Sequence, residues 1–464
     1  MRDIMSNHAK KAAAFLKDGE RAHWHDQSLW FVRKKRDSVS KSVPDWESLR
    51  ETAHKIKRHT LANLPRYLEE FEKNARTKGV HIHYAYDANE HNSIVLKILK
   101  ERNISRVVKS KSMLTEECDL NHAIQENGIE IIDTDLGERI VQLLGEPPSH
   151  IVLPAIHRKK EEIGELFHKY LRTEKDASDP TYLARAARAH LREKFLASEA
   201  GISGVNFAIA ETGGVAIVTN EGNADLGNSL PPLYIACMGI ERLLPHTRDL
   251  SVFLRLLARS ATGQPITAYT SHLLGPRLGQ EMHIIIVDNG RSDILKKEKF
   301  RKALFCIRCG ACMNTCPVYR RSGGYSYDYV IPGPIGSVLA PHKGIKKYKS
   351  LPFACTLCGS CEDICPVKID LRDQIWEWRA EVNVSGNLGF VKKSAMALAA
   401  IVLGNTLLFI FVGKLGRMIF RVLPKSICNF ITIWGKTRDF PDIPAKSFRE
   451  AYSERLMNGR GNGK

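Results

Sequence analysis

The sequence predicts an α/β domain with a mainly parallel sheet, followed by a cysteine-rich helical module and a helical C-terminal region. Three observations support this prediction. Between residues 80 and 290, short apolar runs alternate with helical patterns, as in folds whose parallel strands are joined by helical crossovers. Eight of the eleven cysteines lie between residues 306 and 365. An uncharged stretch of 20 residues, 394–413, precedes a basic C-terminus.

Residues 1–75 form the first predicted segment, and their pattern is helical. The stretch 43–79 places apolar residues at helical spacing and ends on a glycine, as helices commonly do. We expect Trp24, Trp30 and Trp46 to pack inside the protein and not to bind a ligand. The first residues contain no apolar stretch long enough for a secretory signal, so we expect a cytoplasmic protein.

Residues 76–294 are expected to form the α/β domain. Four β-like runs each precede a helical pattern, and the later runs follow one another closely, which predicts an antiparallel part. The first four runs are HIHYAY, SRVVKSKS, IEIIDTD and HIVLPA, and the later ones are VNFAIAET, GGVAIVTN, PLYIACMG, PITAYTS and MHIIIVDN.

Polar residues follow several of these predicted strands. They are Glu211, Gly213, Gly214, Asn220, Glu221, Gly222 and Asn223 in two turns, and Lys109, Ser110, Lys111 and Ser112 after the run RVV. Ligands of open α/β sheets bind beyond the carboxyl ends of the strands, so these residues are candidates for a small-molecule site. The last four are candidates for contact with an anion. The alternative, that all are ordinary turn residues, stays open.

Six other residues are of types that often carry chemistry, and we expect them to be structural. They are Cys118, Cys237, Cys428, His150, His157 and His272. An isolated cysteine behaves as a small apolar residue, and a histidine near a strand end usually makes structural hydrogen bonds. We assign no metal to these histidines.

Residues 295–380 contain two copies of one cysteine motif. CIRCGACMNTCP begins at residue 306 and CTLCGSCEDICP at residue 355, so each has the spacing C-x₂-C-x₂-C-x₃-C-P. In bacterial two-cluster proteins with this run, the fourth cysteine binds the cluster of the other motif. We therefore predict two [4Fe–4S] clusters. The first is assigned to Cys306, Cys309, Cys312 and Cys365, and the second to Cys316, Cys355, Cys358 and Cys361.

Other cysteine chemistries fit this spacing less well. A Cys₄ zinc ribbon uses two C-x₂-C pairs without a trailing Cys-Pro, and a thioredoxin-like redox pair needs only two cysteines. The neighbouring residues suit a cluster. Gly310 and Gly359 permit close backbone approach, Ile307 and Leu357 are expected to exclude water, and Pro317 and Pro366 turn the chain.

Two stretches of the α/β region resemble the LUD domain, which is named for lactate utilization and is similar to the NagB/RpiA/CoA-transferase-like fold. They are residues 109–157 and residues 207–245, the second of which contains ETGG and TNEGN. The 38 residues between Cys316 and Cys355 resemble the spacer of helical ferredoxin modules in succinate dehydrogenase and related reductases. Together with the basic tail, nearly the full chain resembles the lactate utilization protein B family.

The resemblance implies an electron-transfer subunit of a multi-protein system that oxidises L-lactate to pyruvate. Two clusters would pass the two electrons onward one at a time, and the chain itself would be a non-catalytic component. The implied partners are a cysteine-rich redox subunit and a second LUD-domain protein, whereas the electron acceptor stays unknown. The sequence has no G-x-G-x-x-G motif that would indicate a Rossmann-type nucleotide site.

Two other functions stay open. The chain resembles the iron–sulfur subunits of other reductases and dehydrogenases, of glycolate oxidase or heterodisulfide reductase type. It is also similar in fold to CoA-transferases, which use a glutamate near a glycine turn, so an acyl-CoA-binding or transferase protein with structural clusters is an alternative. Glu221 is the nearest candidate for that glutamate, although its surroundings do not match the transferase motif.

Residues 385–464 combine an apolar run with many basic residues. Residues 394–413 are long enough for a membrane helix, but basic residues flank both ends, and the positive-inside rule would keep both flanks in the cytosol. A helical hairpin that breaks near Gly404 satisfies both flanks. Whether this region docks on protein, lies on the inner face of the membrane or spans it stays open.

The net charge of +18 favours an acidic partner or an anionic surface. Nucleic acid is not expected as a partner, because the basic residues are spread along the chain without an aromatic-interleaved stripe.

Overall fold

The computed structural model describes residues 7–432, 435 and 438–460. The chain divides into two compact units, Met1–Val384 and Ser385–Lys464. The predicted boundaries at residues 75 and 294 both fall inside the first unit, and they stay predictions.

The first unit contains two sheets. Its strands are β1 (His81–Ala85), β2 (Arg106–Lys109), β3 (Glu130–Asp133), β4 (Ala200–Gly204), β5 (Phe207–Ile209), β6 (Gly214–Thr219), β7 (Leu233–Gly239), β8 (Leu243–Leu244), β9 (Tyr269–Leu273) and β10 (Glu281–Val287). Six of them form a parallel sheet in the order β1-β10-β7-β4-β2-β3. Strand β7 is buried along its full length, as expected for a parallel sheet that is covered on both faces.

The smaller sheet has the order β8-β5-β6-β9. Strand β6 pairs antiparallel with both β5 and β9, and β8 pairs parallel with β5. The predicted combination of a mainly parallel sheet with an antiparallel part is therefore confirmed.

Helices cover both faces of the parallel sheet and build the cysteine-rich region. In the first unit they are α1 (His8–Leu16), α2 (Gly19–Lys41), α3 (Trp46–Ala62), α4 (Leu64–Arg76), α5 (Ala88–Glu101), α6 (Met113–Glu117), α7 (Leu120–Glu126), α8 (Leu136–Leu144), α9 (Lys160–Leu171), α10 (Pro180–Leu196), α11 (Asn223–Ser229), α12 (Thr247–Thr262), α13 (Arg291–Lys296), α14 (Ala311–Thr315), α15 (Pro317–Ser322), α16 (Gly333–Leu339), α17 (Ile345–Tyr348), α18 (Ser360–Asp363) and α19 (Leu371–Val384). Short 3₁₀ turns lie at Ile240–Arg242, Arg301–Phe305, Gly324–Tyr327, Ala340–Lys343 and Pro352–Ala354.

The N-terminal helices join the α/β region to the cysteine-rich region. Helix α2 packs on α12 of the α/β region and also on α14 and α15 of the cysteine-rich region. Trp46, at the start of α3, is buried in the core, and the guanidinium of Arg320 lies 4.3 Å from the ring centroid of Trp30. These tryptophans therefore pack, as expected.

The predicted strand HIVLPA is wrong, because residues 150–156 form a series of bends and turns. The Nδ1 atom of His150 accepts hydrogen bonds from the backbone N–H groups of Val152 and Leu153, both at 3.0 Å. Pro154 has no N–H to donate to a sheet. The peptide groups of this segment are therefore used locally and cannot pair with a strand.

The sequence pattern missed strand β4, which lies in the middle of the parallel sheet. Its sequence, AGISG, contains two glycines and so gives a weak strand signal. A Cβ atom at Gly201 would lie 1.8 Å from the carbonyl oxygen of Gly227 in α11. Glycine is needed there because α11 packs directly on the backbone of the strand.

The second unit is helical, with α20 (Phe390–Gly404), α21 (Thr406–Val422), α22 (Lys425–Ile431) and α23 (Phe448–Arg460). The chain bends by 109° between α20 and α21, at the break predicted near Gly404. Asn405 caps α21 by accepting a hydrogen bond from the N–H of Leu408 at 3.0 Å. Within the described residues, no single helix has both the length and the apolar content to cross a membrane. The bent pair of α20 and α21 taken together meets these two criteria, which concern length and composition only.

The turn between β5 and β6 offers a test of how α4 packs on the smaller sheet. Gly213 has a φ of +64°, and a Cβ atom there would lie 2.2 Å from the backbone nitrogen of Ala75 in α4. We expect Gly213→Ala to destabilise the protein by about 3 kcal/mol, from backbone strain plus steric overlap. Thermal unfolding would measure the change.

Gly128→Ala is the matched control for this substitution. Gly128 also has a positive φ, +75°, but a Cβ atom there would meet nothing within 4 Å. Its cost should be limited to about 1 kcal/mol of backbone strain. Equal losses in the two variants would show that contact with α4 does not decide the effect.

Candidate metal centre and adjoining cavity

The two cysteine motifs fold into the same local backbone conformation. Arg308 and Leu357 occupy equivalent positions in their motifs, and both have a left-handed φ, of 59° and 58°. Gly310 and Gly359 follow two residues later with φ values of 74° and 82°. Left-handed backbone costs a residue other than glycine about 1–2 kcal/mol, so its repetition at equivalent positions indicates a shared functional constraint.

The conformation directs backbone N–H groups at the cysteine sulfurs. Four such contacts run from Arg308 to Cys306 (3.4 Å), from Tyr319 to Cys316 (3.5 Å), from Leu357 to Cys355 (3.2 Å) and from Ile369 to Cys365 (3.4 Å). An N–H donor stabilises a thiolate over a thiol. Hydrogen bonds to sulfur also tune the reduction potential of an iron–sulfur cluster.

The first quartet of cysteines lines one small pocket. Its lining combines Cys306, Cys309, Cys312 and Cys365 with the apolar side chains of Ile151, Ile307, Ile335, Val367, Ile369 and Leu371. Burial raises the pKa of the Cys309 thiol, and the neighbouring Cys365 and Cys306 raise it further. The structure therefore brings the last cysteine of the second motif to the first three cysteines of the first motif. Ile307 shields this pocket, as expected.

The second quartet has the reciprocal composition. Burial raises the pKa of Cys361, and so do the neighbouring thiols of Cys316, Cys355 and Cys358. Burial also raises the pKa of Cys316 to about 11, although the N–H groups of the following helix act against this rise. Cys358 is exposed to solvent. The last cysteine of the first motif therefore lies beside the cysteines of the second motif.

The donor set fits an iron–sulfur cluster. Within the described part of the chain, no three His, Cys, Asp or Glu side chains converge as ligands of a single metal ion would. A [4Fe–4S] cluster needs a different arrangement of ligands, because each cysteine binds a separate iron and the four cysteine sulfurs therefore do not converge on one point. Thiols whose pKa is raised in the free protein lose their protons when a metal binds them. Four thiols, an apolar wall and N–H donors satisfy these requirements.

Buried cations surround the cysteine loops. The guanidinium of Arg50 donates two hydrogen bonds to the carbonyl oxygen of Cys365, at 3.0 and 2.8 Å. Arg36 donates to the preceding carbonyl at 3.1 Å, and Arg379 donates to the carbonyl of Cys355 at 2.6 Å. Four thiolates bring four negative charges that an iron–sulfur core offsets only in part, so these cations compensate charge that the site would otherwise bury.

A cavity of about 500 Å³ lies beside the first quartet. It is lined by residues at or beyond the carboxyl ends of β2, β4 and β7, by the turns of residues 151–156, and by Arg308 of the first cysteine motif. This edge of an open α/β sheet is the usual position of a ligand site. Of the predicted candidates, Ser110, Lys111, Ser112, Asn220, Glu221 and Asn223 line the cavity, whereas Lys109, Glu211, Gly213, Gly214 and Gly222 do not.

The prediction that Lys109 contacts an anionic ligand is wrong. Its side chain is fully buried, and its ammonium group lies 2.8 Å from Glu116, 2.9 Å from Asp133 and 4.0 Å from Glu138. Three carboxyl groups already occupy the surroundings of this cation. Glu211 is structural as well, because its carboxylate accepts a hydrogen bond from the N–H of Thr247 at the start of α12 (2.8 Å).

The acidic end of the cavity contains Lys111, Asp135 and Glu221. The ammonium of Lys111 lies 2.9 Å from the carboxylate of Asp135 and donates to the carbonyl of Val152 at 2.9 Å. Burial and the nearby Asp135 raise the pKa of Glu221 to about 6, although the carboxyl also accepts a hydrogen bond from Leu136. Lys111 is therefore paired, and this end carries a surplus of carboxyl groups.

A network of buried charges separates the cavity from Cys306. Arg291 lies in its centre, with Nε 2.6 Å from Glu241 and Nη2 3.0 Å from Glu117. Arg308 lies 3.3 Å from Glu117, and Arg242 lies 3.6 Å from Glu241. Sequence reasoning missed all five residues, because they come from four separate segments of the chain and their charges follow no recognisable pattern.

The isolated histidines and cysteines have structural surroundings. His150 contacts Asn314 at 3.0 Å, and His157 contacts Ser149 at 2.7 Å and Glu146 at 3.0 Å. His272 lies in β9, paired with Ala216. Cys118 and Cys237 lie in the apolar core beside the parallel sheet, and Cys428 is buried within the second unit.

Residues 68–294 match the model of the LUD domain, and residues 302–369 match that of the 4Fe-4S dicluster domain. Fold and site thus define an α/β LUD-domain protein with an iron–sulfur module, as the sequence predicted. Over 444 residues, the chain is 42% identical to "Lactate utilization protein B" of Macrococcus caseolyticus, covering 92% of this chain and 93% of that protein. The chain belongs to the lactate utilization protein B family, so the predicted family is confirmed.

Two further proteins extend the comparison. The "Uncharacterized electron transport protein YkgF" of Escherichia coli K12 is 40% identical over 440 residues, with 92% of each chain covered. The crystal structure of a DUF162 family protein from Deinococcus radiodurans covers 48% of this chain and 98% of its own, at 13% identity and a TM-score of 0.27. That score is too low to support an argument about the fold.

The surroundings of Lys109 generate a prediction about stability. Lys109→Met would leave three carboxyl groups without their cation, so we expect a loss of about 3–5 kcal/mol. The loss should be larger at pH 8 than at pH 5.5, because protonation of the carboxyl groups at low pH removes their mutual repulsion. Thermal unfolding at the two pH values would measure it.

Lys111→Met is the control, since Lys111 has one carboxylate partner and keeps 28% of its side chain exposed. Its loss should be about 1 kcal/mol. A Lys109→Met loss no greater than this would contradict the structural role of Lys109.

Proposed function

We propose that this chain is an iron–sulfur electron-transfer subunit of a multi-protein system that oxidises L-lactate to pyruvate. One observation carries the proposal: cysteines from both motifs line the same pocket, as interlocked two-cluster ligation requires. Relatives named for lactate utilization support this choice of system. We assign no catalytic residue to this chain, because the oxidation itself belongs to the assembled system.

Two [4Fe–4S] clusters are the proposed cofactors. The first would be held by Cys306, Cys309, Cys312 and Cys365, and the second by Cys316, Cys355, Cys358 and Cys361. When bound, each supplies one-electron transfer. The protein contributes the N–H donors to sulfur, the apolar wall of the first pocket and the arginines around the loops.

The two quartets lie next to each other. Burial raises the pKa of Cys312, and its neighbouring thiols, which raise it further, include Cys361 of the other quartet. Helices α14 and α18, one from each motif, are joined by a hydrogen bond of 2.5 Å between the hydroxyl groups of Thr315 and Ser360. This adjacency supports electron exchange between the two sites within one chain.

The exposure of the second quartet indicates where a redox partner would contact the protein. The first quartet lines a pocket with an apolar wall, whereas Cys358 of the second is exposed. We therefore expect electrons to enter at the first site and to leave near Cys358. A cysteine-rich redox subunit and a second LUD-domain protein are the proposed partners. Reductases of glycolate oxidase or heterodisulfide reductase type would use the same route with other substrates.

The interlocked ligation can be tested by counting iron. The anaerobically purified wild-type chain should hold about eight irons, and a variant with Cys306→Ala, Cys309→Ala and Cys312→Ala should hold about four. Adding Cys365→Ser to this variant should change neither the iron content nor the EPR spectrum of the remaining cluster, because Cys365 would have lost its cluster already.

Adding Cys316→Ser to the same variant is the matched control, and it should remove or convert the remaining cluster. Ligation within each motif predicts the reverse: damage by Cys365→Ser and no effect of Cys316→Ser. Circular dichroism would show that the variants are folded. A colourless zinc-containing wild-type protein would refute the proposed cofactors altogether.

We also propose that the protein is cytoplasmic and contacts the inner face of the membrane through α20 and α21. Neither helix has a buried residue, and Phe390, Leu407 and Val422 are each at least 80% exposed. Residues 385–438 contain eight Lys and Arg residues and no Asp or Glu. An exposed apolar hairpin with only basic charges suits the interface of an anionic bilayer.

Sedimentation with vesicles tests the membrane contact. We expect binding to phosphatidylglycerol vesicles, weaker binding to phosphatidylcholine vesicles, and release by salt because the attraction is partly electrostatic. Phe411→Glu, within the hairpin, should reduce binding at least tenfold, since it places a charge in the apolar surface.

Phe448→Glu is the control, because Phe448 is 81% exposed but lies on α23, outside the hairpin. It should bind vesicles as the wild type does. If Phe411→Glu leaves vesicle binding unchanged and lowers the unfolding temperature of the isolated chain, the hairpin packs on protein and the membrane proposal fails.

A further inference from the structure

Arg308 connects the first cysteine motif to the cavity of the α/β region. Its backbone N–H donates to the sulfur of Cys306 at 3.4 Å, while its side chain leaves the loop and lines the cavity. The side chain is only 12% exposed. Its Nη2 atom contacts Glu117 at 3.3 Å, whereas Nε and Nη1 are buried without a hydrogen-bond acceptor. A buried donor without an acceptor is unfavourable, which favours an acceptor supplied by a ligand.

The charges around Arg308 do not balance. Three guanidinium groups, of Arg242, Arg291 and Arg308, share two carboxylates, of Glu117 and Glu241. Arg291 contacts both carboxylates at short distance, so Arg242 and Arg308 each share a carboxylate that is already paired. This wall of the cavity therefore carries one surplus positive charge.

Two other charged groups lie near this wall: Cys306 of the first cysteine quartet, whose thiolate would offset part of the positive charge, and Lys57, which adds to it. Behind the wall, the ammonium of Lys57 is buried and donates to the backbone carbonyl of Glu241. Asp135 and Glu221 also line the cavity, where Lys111 pairs with Asp135. They make no ion pair with Arg242 or Arg308, whose carboxylate partners are Glu241 and Glu117.

Arg242 and Arg308 both line the cavity. They belong to one network of ion pairs, which runs from Arg242 through Glu241, Arg291 and Glu117 to Arg308. Among the described residues, Arg242 has an ion pair with Glu241 at 3.6 Å and no hydrogen bond to its guanidinium. Two neighbouring guanidinium groups with free donors match the two oxygens of a carboxylate.

We propose that the cavity is a binding site for a small organic acid of the 2-hydroxy or 2-oxo acid class, whose carboxylate pairs with Arg242 and Arg308 beside the first cysteine quartet. The proposal rests on the proposed function, because that function supplies the class of acid. The remainder of the ligand would lie against the apolar lining, which includes Met113, Ile217 and Leu257. The volume of about 500 Å³ is within the range of small-molecule sites.

The size of the cavity determines the expected selectivity. A three-carbon acid fills only part of it, so acids with longer apolar chains should bind as well or better, through additional apolar contact. The position beside Cys306 also predicts an effect on the first cluster. A bound anion adds negative charge near the cluster, which favours its oxidised form and lowers its midpoint potential.

Calorimetric titration of the iron-loaded chain tests the site. We expect L-lactate, pyruvate and 2-hydroxyhexanoate to bind, and inorganic phosphate to bind at least tenfold more weakly. Arg242→Met should weaken the binding of the acids at least tenfold, whereas Arg242→Lys should restore part of it because the charge is kept. Arg308→Met should act like Arg242→Met. Arg248→Met is the control, since Arg248 is exposed on α12 and does not line the cavity.

A redox titration followed by EPR gives a second readout. The acid should lower the potential of one cluster in the wild type, and it should have no effect in the Arg242→Met variant. Equal iron content and equal circular dichroism would show that this variant is intact. Unchanged acid binding in both Arg242→Met and Arg308→Met would overturn the proposal, and equal binding of phosphate and the acids would overturn the assigned class.

Failure of this proposal is distinguishable from failure of the proposed function. A chain with about eight irons and reducible clusters that binds none of the acids refutes the cavity site and leaves the electron-transfer function standing. A chain that binds the acids but holds no iron–sulfur cluster refutes the function and leaves the binding site standing.

Discussion

The structure depends on the convergence of two cysteine motifs that lie far apart in the chain. Cys365 of the second motif lines one pocket with Cys306, Cys309 and Cys312 of the first motif. The 38 residues between Cys316 and Cys355 must therefore fold back so that the two motifs meet. The N-terminal helices support the arrangement, because Arg36 and Arg50 bind the backbone carbonyls at the end of the second motif. The helices, the α/β region and the cysteine loops therefore form one compact unit.

The distribution of charge follows from this convergence. Thiolates and an iron–sulfur core carry net negative charge, and burying that charge is costly unless cations lie nearby. Arginines from three different parts of the chain lie against the cysteine loops or their carbonyl groups. Part of the large positive charge of the protein thus has a local role inside the fold, and the basic residues of the C-terminal unit form a separate set with an exposed apolar surface.

The α/β region and the cysteine-rich region meet at Arg308. One residue places its backbone against a cysteine sulfur and its side chain in a cavity at the carboxyl edge of the sheet. Any charge bound in the cavity would therefore act on the first cysteine site through a short, buried path in which screening by solvent is weak. In the proposal made above, the LUD domain would therefore bind a ligand as well as carry the iron–sulfur module.

The sequence by itself determined the features that depend on local spacing. The cysteine pattern indicated two iron–sulfur sites, and the apolar alternation indicated the sheet. Each of these patterns is formed by residues that lie within a few positions of one another in the sequence. Only the tertiary structure decided which polar residues meet. In the folded protein, Lys109 is buried among three carboxyl groups. The segment HIVLPA forms bends and turns and not a strand, and β4 lies in the middle of the parallel sheet despite its glycines. The tertiary structure also brought Arg242 and Arg308, which are separated by 65 residues of chain, into one network of ion pairs, since packing between distant segments leaves no pattern in a single sequence.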